Sequence, residues 1–404
     1  MNRQRKPELL APAGNLEKLK AAVVYGADAV YIGGKELSLR SAADNFDISD
    51  IREGVNFAHE RGTKVYAALN IFAHNKDFEH LTSYVDELRS VAVDALIVSD
   101  LGIFKIVRDE FPAFPIFASV QANITNCFAA KKWEELGAKR VTLARELSLA
   151  EIKEIVAGVD IETEVFAHGA VCISYSGRCL LSNYFVQRDA NRGNCAHCCR
   201  WKYFLMEEAR PDEFYPILED ERGTYILSSK DLCLLRALPD LISTGVGSLK
   251  IEGRMKSLHY VAVATRIYRE AIDSYAKDPD LFQIDPKWEE ELRNVSHREY
   301  TEGFIIDEDR QETSAGYLKN AEFVGVVKNG EIENGWILVD VRNRILEGEE
   351  LEAFTPGGKR ERIFIRNMQR ADDGEQLKAA HANYEVLIPS EPLPEFSVLR
   401  RLKR

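Results

Sequence analysis

Six of the seven cysteines in this 404-residue chain lie between Cys172 and Cys233, and Cys127 stands apart. The dense part reads EVFAHGAVCISYSGRCLLSNYFVQRDANRGNCAHCCRWKY from Glu164 to Tyr203, and SSKDLCLL with Cys233 follows further on. Thiolates are nucleophiles and ligands for soft metals, and an odd, clustered count suits those roles better than a disulfide framework. Structural zinc usually shows paired Cys-x2-Cys knuckles. One such knuckle is present, Cys195 and Cys198, and the other spacings are irregular. A cubane tolerates irregular spacing, because each thiolate binds its own corner iron. Spacing alone leaves an iron–sulfur cluster, zinc and reactive or buried thiols open.

Other groups could do chemistry nearby. His168 precedes Cys172 by four residues, so a Cys–His nucleophile is conceivable, as is a proton carrier. Glu164 reads as a base or substrate acceptor, or as a buried carboxylate paired with Arg or Lys. Arg145, Lys230 and Arg254 could grip carboxylates or phosphates, with Glu252 beside them, and structural ion pairs are the plain alternative. Trp201 and Tyr203 could stack on bases or pack in a core. The sequence has no His-Glu-x-x-His and no Gly-x-Ser-x-Gly, which weighs against the common hydrolase centres.

Something must position these residues, and the first ~275 residues supply it by alternating short apolar strands with amphipathic helices. The expected strands are Glu8–Pro12, Ala29–Gly34, Lys64–Asn70, Ala95–Asp100, Ile116–Gln121, Arg140–Arg145, Glu162–Gly169 and Ser248–Gly253. Expected helices include Leu16–Tyr25, Phe78–Val91 and Ala150–Ala157. Eight βα units predict a (β/α)8 TIM-type barrel, with a doubly wound open sheet as the alternative. Glycines and polar residues recur where the apolar runs stop, as a ligand-holding rim or as helix caps. The barrel domain is expected over 1–277, with a cysteine-rich insertion at 170–233 too long for a βα loop. A polar connector over 278–320 leads to a strand-rich unit over 321–404, read as a small C-terminal antiparallel β-barrel.

The formal net charge of −12 argues against coating nucleic acid by bulk electrostatics. A local basic surface is the alternative. The candidates are Arg188, Arg192, Arg200 and Lys202 beside the cysteines, with Arg254 and Lys256 near the last barrel strand. The opening MNRQRKPELLAPAGN lacks a signal-peptide apolar region, and no apolar run has membrane-span length. A cytoplasmic protein without a membrane partner is expected.

The run Glu164-Val165-Phe166-x-x-Gly169-Ala170-Val171-Cys172, then Gly177-x-Cys179-x-Leu181-Ser182, resembles the signature of the peptidase U-32 (collagenase-like) superfamily. Arg192-Gly193-x-Cys195, Cys199-Arg200, Ser229-Lys230-Asp231-Leu232-Cys233 and the stretch Ser248 to Lys256 resemble it too. So do Leu9 to Gly14 and Gly26 to Tyr31. The likeness covers the whole chain, and its length and tail are similar to those of the branch that hydroxylates the wobble uridine of transfer RNA at C5. That resemblance implies 5-hydroxyuridine formation linked to prephenate, a [4Fe-4S] cluster and a transfer RNA partner, with a homodimer or a heterodimer with a paralogue as further partners. Ribosomal RNA, a quinone precursor and peptide cleavage are the other activities it brings in. The implied cluster ligands are Cys172, Cys179, Cys195 and Cys233, with Cys199 as the rival. A proline is expected where Cys198 stands, which leaves the choice among Cys195, Cys198, Cys199 and Cys233 open.

Overall fold

In the computed structural model, the described residues are 6–35, 37–39, 45–201, 218–220, 223–225, 229–306, 317–332 and 335–403. Eight parallel strands close on themselves: β1 (Glu8–Pro12), β2 (Ala29–Ile32), β3 (Lys64–Leu69), β4 (Ala95–Val98), β5 (Ile116–Ala118), β6 (Arg140–Thr142), β7 (Glu162–Ala170) and β8 (Ser248–Ile251). Each pairs with the next, and β8 joins β7 on one side and β1 on the other. This is the TIM-type barrel expected from the alternation. Strands buried on both faces read as continuous apolar runs, which is why AVYI and ALIV are wholly buried. Several polar residues at strand ends are helix caps. Asp100 Oδ1 accepts from the Ile103 amide at 3.0 Å, and the Ser148 hydroxyl caps the helix Leu149–Gly158.

The barrel interior holds charge as well as hydrocarbon. Tyr31, Tyr66, Ala68, Ile97 and Phe117 form an inner apolar cluster. Beneath and beside it, Glu164 of β7 accepts four hydrogen bonds. Thr142 Oγ1 at 2.9 Å and Lys250 Nζ at 3.0 Å donate to one oxygen, and Arg140 and Ser248 Oγ, each at 3.1 Å, donate to the other. Arg140 also donates to Glu8 at 2.6 Å and Glu162 at 2.7 Å, and Tyr66 donates to Glu8 at 2.8 Å. The network ties β1, β3, β6, β7 and β8 together. Burial pushes the Glu164 carboxyl up, but Lys250 and Arg140 outweigh it and hold it below the usual carboxylate range. Glu164 is 1 % exposed with every acceptor position used, so it has a structural place rather than that of a base at an open site.

Strand β7 outlasts the barrel. Its last residues pair antiparallel with the strand Asp231–Cys233, which in turn pairs with Tyr300–Thr301. The buried pair Asp231–Arg298, at 2.7 Å, fastens this annex. The expected polar connector contains a helix, Pro286–Asn294, whose Trp288 and Leu292 are buried one turn apart. The C-terminal unit is antiparallel: a seven-stranded sheet and a two-stranded ribbon around a core of its own. It is bonded to the barrel. Tyr25 Oη donates to the carbonyls of Phe354 and Phe396, and buried Arg400 bridges Glu291 and Glu352.

Removing the shared acceptor should be costly, because Lys250 then loses its counter-charge in the barrel centre and Arg140 loses one of three. Glu164→Ala should lower stability by about 3–5 kcal/mol, read as a fall in the urea midpoint. A carboxyl held low when folded stabilises above its unfolded value and loses that contribution as pH falls through the folded one. Wild-type stability should therefore drop below about pH 4.5, the ordinary glutamate value, and Glu164→Gln should flatten that drop.

Candidate functional site

The carboxyl ends of the strands surround a small cavity of about 40 Å³, with Tyr31, Asn70, Gln121, Phe166 and Lys250 among its walls. Lys250 marks its floor, with Nζ on Glu164 below and the Tyr31 ring 4.5 Å away. Arg145 stands over the Phe166 ring at 5.0 Å and donates one hydrogen bond, to the Ala170 carbonyl at 2.7 Å. Its Nε is buried without a partner among the described residues, so donor capacity remains for an acidic or carbonyl-bearing guest. Glu252, half-buried, lines the same space. Arg254 also borders the cavity, but its guanidinium donates to Ser38 Oγ, the Leu39 carbonyl and Asn45 Oδ1. Arg254 therefore clamps the segment after β2, and an anion would have to compete with those acceptors.

The cysteine segment lies across this mouth. Three rim segments hold it. The Ser176 amide and hydroxyl donate to Glu146, beyond β6, at 2.9 and 3.2 Å. Gly177 sits so close to the rim after β5 that a Cβ would lie 2.4 Å from the Gln121 carbonyl oxygen, and its φ of +73° also favours glycine. Beyond β3, Arg192 forms a bidentate pair with Asp77 at 2.7 and 3.0 Å, and the Phe72 amide donates to the Asn191 carbonyl. That pair holds the Asp77 carboxyl down to about 2. The Asn191 side chain in turn donates to the Cys179 carbonyl at 2.8 Å.

None of the seven cysteines is in a disulfide. Burial raises the Cys199 thiol, Arg200 opposes this, and Cys172, Cys195 and Cys179 raise it further. Those three sulfurs thus each lie within electrostatic reach of Cys199. Cys198 is buried beside Cys195 and Ser182. Cys233 is elsewhere. It pairs with His168 across the annex, with Tyr268 Oη 4.0 Å from its sulfur, and burial pushes its thiol to about 11. His168 precedes Cys172 by four residues, and the strand runs on to Ala170 at about 3.3 Å per residue. Cys233 is thereby set back from the other thiols. Among the described residues, no three His, Cys, Asp or Glu side chains converge enough to share one metal ion. A looser set of four thiols suits a cubane, whose ligands each take a different corner, better than a single zinc.

His168 does not face the mouth. On β7, Glu164 and Phe166 point inward, and strict alternation would send His168 after them. The register with β8 slips between Lys250 and Ile251, so Ala167 and His168 together oppose Ile251. This bulge turns His168 outward, among Tyr260, Tyr268 and Tyr300, with ring centroids 5.3–5.8 Å away. Burial lowers it to about 3, so it is neutral at ordinary pH and is not set up as a nucleophile's base for exposed Cys172. Lys230 pairs with Glu299 at 3.4 Å, away from the cavity lining.

The basic residues expected as one patch are dispersed. Arg192 is committed to Asp77. Arg188 is exposed and donates to Asn194 at 2.9 Å. Arg200 and Lys256 do meet, around the Tyr317 ring at 5.8 and 4.7 Å, but Lys256 also donates to the Ser296 carbonyl at 2.9 Å. Lys202 and Tyr203 lie outside the described residues, whereas Trp201 is 40 % exposed. Asp77, Glu146 and Asn191 were not singled out for their roles in the sequence. They carry no motif, and only the threading of the segment over the rim reveals them. Phe166 had a signal, two residues beyond Glu164 on the same face.

Comparison with known proteins agrees with this layout. The family model "Peptidase family U32" matches residues 14–315, and "Peptidase family U32 C-terminal domain" matches 319–400. The chain is 43 % identical to a tRNA hydroxylation protein P1 of Bacillus subtilis over 95 % of this chain and 91 % of that one. It is 39 % identical to a tRNA hydroxylation protein P of Escherichia coli, covering 95 % and 94 %. Against an uncharacterized protease of Methanocaldococcus jannaschii it is 43 % identical over 74 % of this chain and 73 % of the other. With both of its units matched and these identities sustained across most of its length, the chain belongs to peptidase family U32.

Proposed function

We propose that the protein is an RNA-hydroxylating enzyme that forms 5-hydroxyuridine at the wobble position of transfer RNA, with a [4Fe-4S] cluster held over the barrel mouth. The observation that carries the reading is the cysteine segment fastened across a polar cavity at three rim points. A purely structural metal knot would have no need to sit there. The names of the B. subtilis and E. coli relatives point to the same chemistry. Peptide cleavage, suggested by the family name, lacks a base paired to the exposed Cys172, since His168 is enclosed by tyrosines.

Hydroxylation at C5 replaces C–H by C–OH, a two-electron oxidation of the ring, so it requires a co-substrate that gives up an oxygen atom and is itself reduced by two electrons. The cluster would supply electron transfer or polarisation at the mouth. Cys172, Cys179, Cys195 and Cys199 would hold it. Cys199, the rival in the sequence reading, is preferred here to Cys233, whose cross-strand neighbour is His168. The residues of the cavity would orient the guest. Arg145 presents an unused N–H to a uracil carbonyl or to a carboxylate such as those of prephenate. Asn70 and Gln121 offer amides, and the Tyr31 and Phe166 rings give flat walls for a base. The segment Cys172–Arg200 would exclude bulk water from above.

Protein purified without oxygen should be brown and carry about four irons per chain. Cys199→Ser should lose iron, and Cys127→Ser and Cys198→Ser should keep it. Iron retained in Cys199→Ser but lost in Cys233→Ser would restore the set implied by the sequence, and a colourless preparation with stoichiometric zinc would remove the cluster altogether. Transfer RNA from a deletion strain should lack 5-hydroxyuridine by nucleoside mass spectrometry, and plasmid-borne wild type should restore it. Arg145→Ala should fail to restore it while keeping its iron, with a loss of roughly 100-fold for a charged hydrogen bond of about 3 kcal/mol.

A further inference from the structure

A second depression lies next to the mouth, on the barrel flank between the helices Leu101–Glu110 and Cys127–Leu136. It is a wide, open groove of about 1180 Å³. Gln121 lines both the groove and the mouth cavity, so the two adjoin at that side chain. Four cations edge the groove, Lys105, Arg108, Lys132 and Arg178, against two carboxylates, Asp100 and Asp109. Asp100 is turned to its helix cap. The whole chain has the opposite balance, 65 acidic residues to 53 basic ones, so the groove departs locally from the mean field.

Three of these cations are also available, whereas Arg108 donates to the Pro112 carbonyl at 2.8 Å. Lys105 and Lys132 pair only with neighbours on their own helices, Asp109 at 2.5 Å and Glu135 at 3.0 Å, with side chains 75 % and 69 % exposed. Such exposed pairs are weak, and a phosphate oxygen competes for them. Arg178 is exposed and makes no ion pair among the described residues. It projects from the cysteine segment itself, one residue before Cys179. Leu101, 59 % exposed, and Leu136, 38 % exposed, give the groove apolar contact area between the charges. Cations interleaved with apolar surface are what a single strand of nucleic acid needs, phosphates on the first and sugars or bases on the second.

From this we infer that the groove is the track for the RNA strand flanking the target nucleotide, which leaves the mouth beside Gln121 and runs along Lys105, Lys132 and Arg178. The inference rests on the RNA-modification reading above and gives it a surface. It also replaces the expected patch around Arg192, whose guanidinium is spent on Asp77.

The test uses the full chain and unfractionated transfer RNA from the deletion strain, with affinity measured from low to high salt. Each phosphate contact on a single strand contributes about 0.7 to the slope of log affinity against log salt. Lys105→Ala with Lys132→Ala should therefore flatten the slope by about 1.4, a loss of about 25-fold at ~0.1 M salt relative to a 1 M reference. Iron content should not change, because neither lysine touches the cysteine segment's fastenings. The double replacement by Arg should keep both slope and affinity. A wild-type chain that binds transfer RNA while the Ala pair keeps its slope and affinity would overturn the groove and leave the RNA reading standing. Wild type that binds no transfer RNA at low salt would overturn both. Loss of affinity in the Arg pair as great as in the Ala pair would also overturn the inference, since phosphate contacts survive that change.

Discussion

The carboxylate of Glu164 is the point on which the barrel is organised. Eight parallel strands enclose a space that hydrocarbon alone could fill, and here two cations and three carboxylates enter it. Charges in such a place are tolerated only when each is paired and hydrogen-bonded. Glu164 meets that requirement by accepting from the strands on either side of it, β6 and β8, and Arg140 extends the links to β1. The arrangement has a direct effect above it. Lys250 is drawn down to Glu164, so the floor of the mouth is a committed ammonium flanked by the Tyr31 and Phe166 rings. The cavity that remains is lined mainly by amides, rings and the spare donor of Arg145.

A rigid rim gives the cysteine segment something to be fastened to. Its anchors come from three different βα loops, after β3, β5 and β6, and each uses a different means: an ion pair, a carboxylate accepting from an amide, and backbone contact at a glycine. The thiols consequently inherit their position from the barrel, not from one another. This explains how irregular cysteine spacing and a defined location coexist.

The barrel was legible in the sequence because buried parallel strands leave unbroken apolar runs, and the eight expected strands match the eight observed to within a few residues at their ends. Caps blurred those ends: Asp100 reads equally as a rim ligand or an N-cap, and only geometry assigns it to the cap. The helix Pro286–Asn294 was hidden by its charge, since two apolar residues, Trp288 and Leu292, suffice to seat it. Tail turns were visible, whereas the order of strands within the tail sheet was not, because pairing between distant strands leaves no local trace. In the site, residue types were legible and their commitments were not. Arg192, Arg254 and Glu164 look alike as free reactive groups in a string of letters, and each proves to be occupied by partners 115, 209 to 216 and 22 to 86 positions away.

The extra residue in β7 also sets a phase for everything that follows it on the chain. Alternation along a strand is a two-state clock, and one inserted residue advances it by half a cycle. Below the bulge, even-numbered side chains of β7 look into the barrel; above it, His168 looks out among the tyrosines. Cys172 emerges only four positions later, so the direction in which the cysteine segment leaves the strand is fixed by that half-cycle. Change of length elsewhere, in the surface turns of the tail sheet, leaves such parity untouched. Between Phe166 and His168 the chain keeps count, and deletion of Ala167 would turn His168 toward the mouth and shift Cys172 by half a cycle against the barrel.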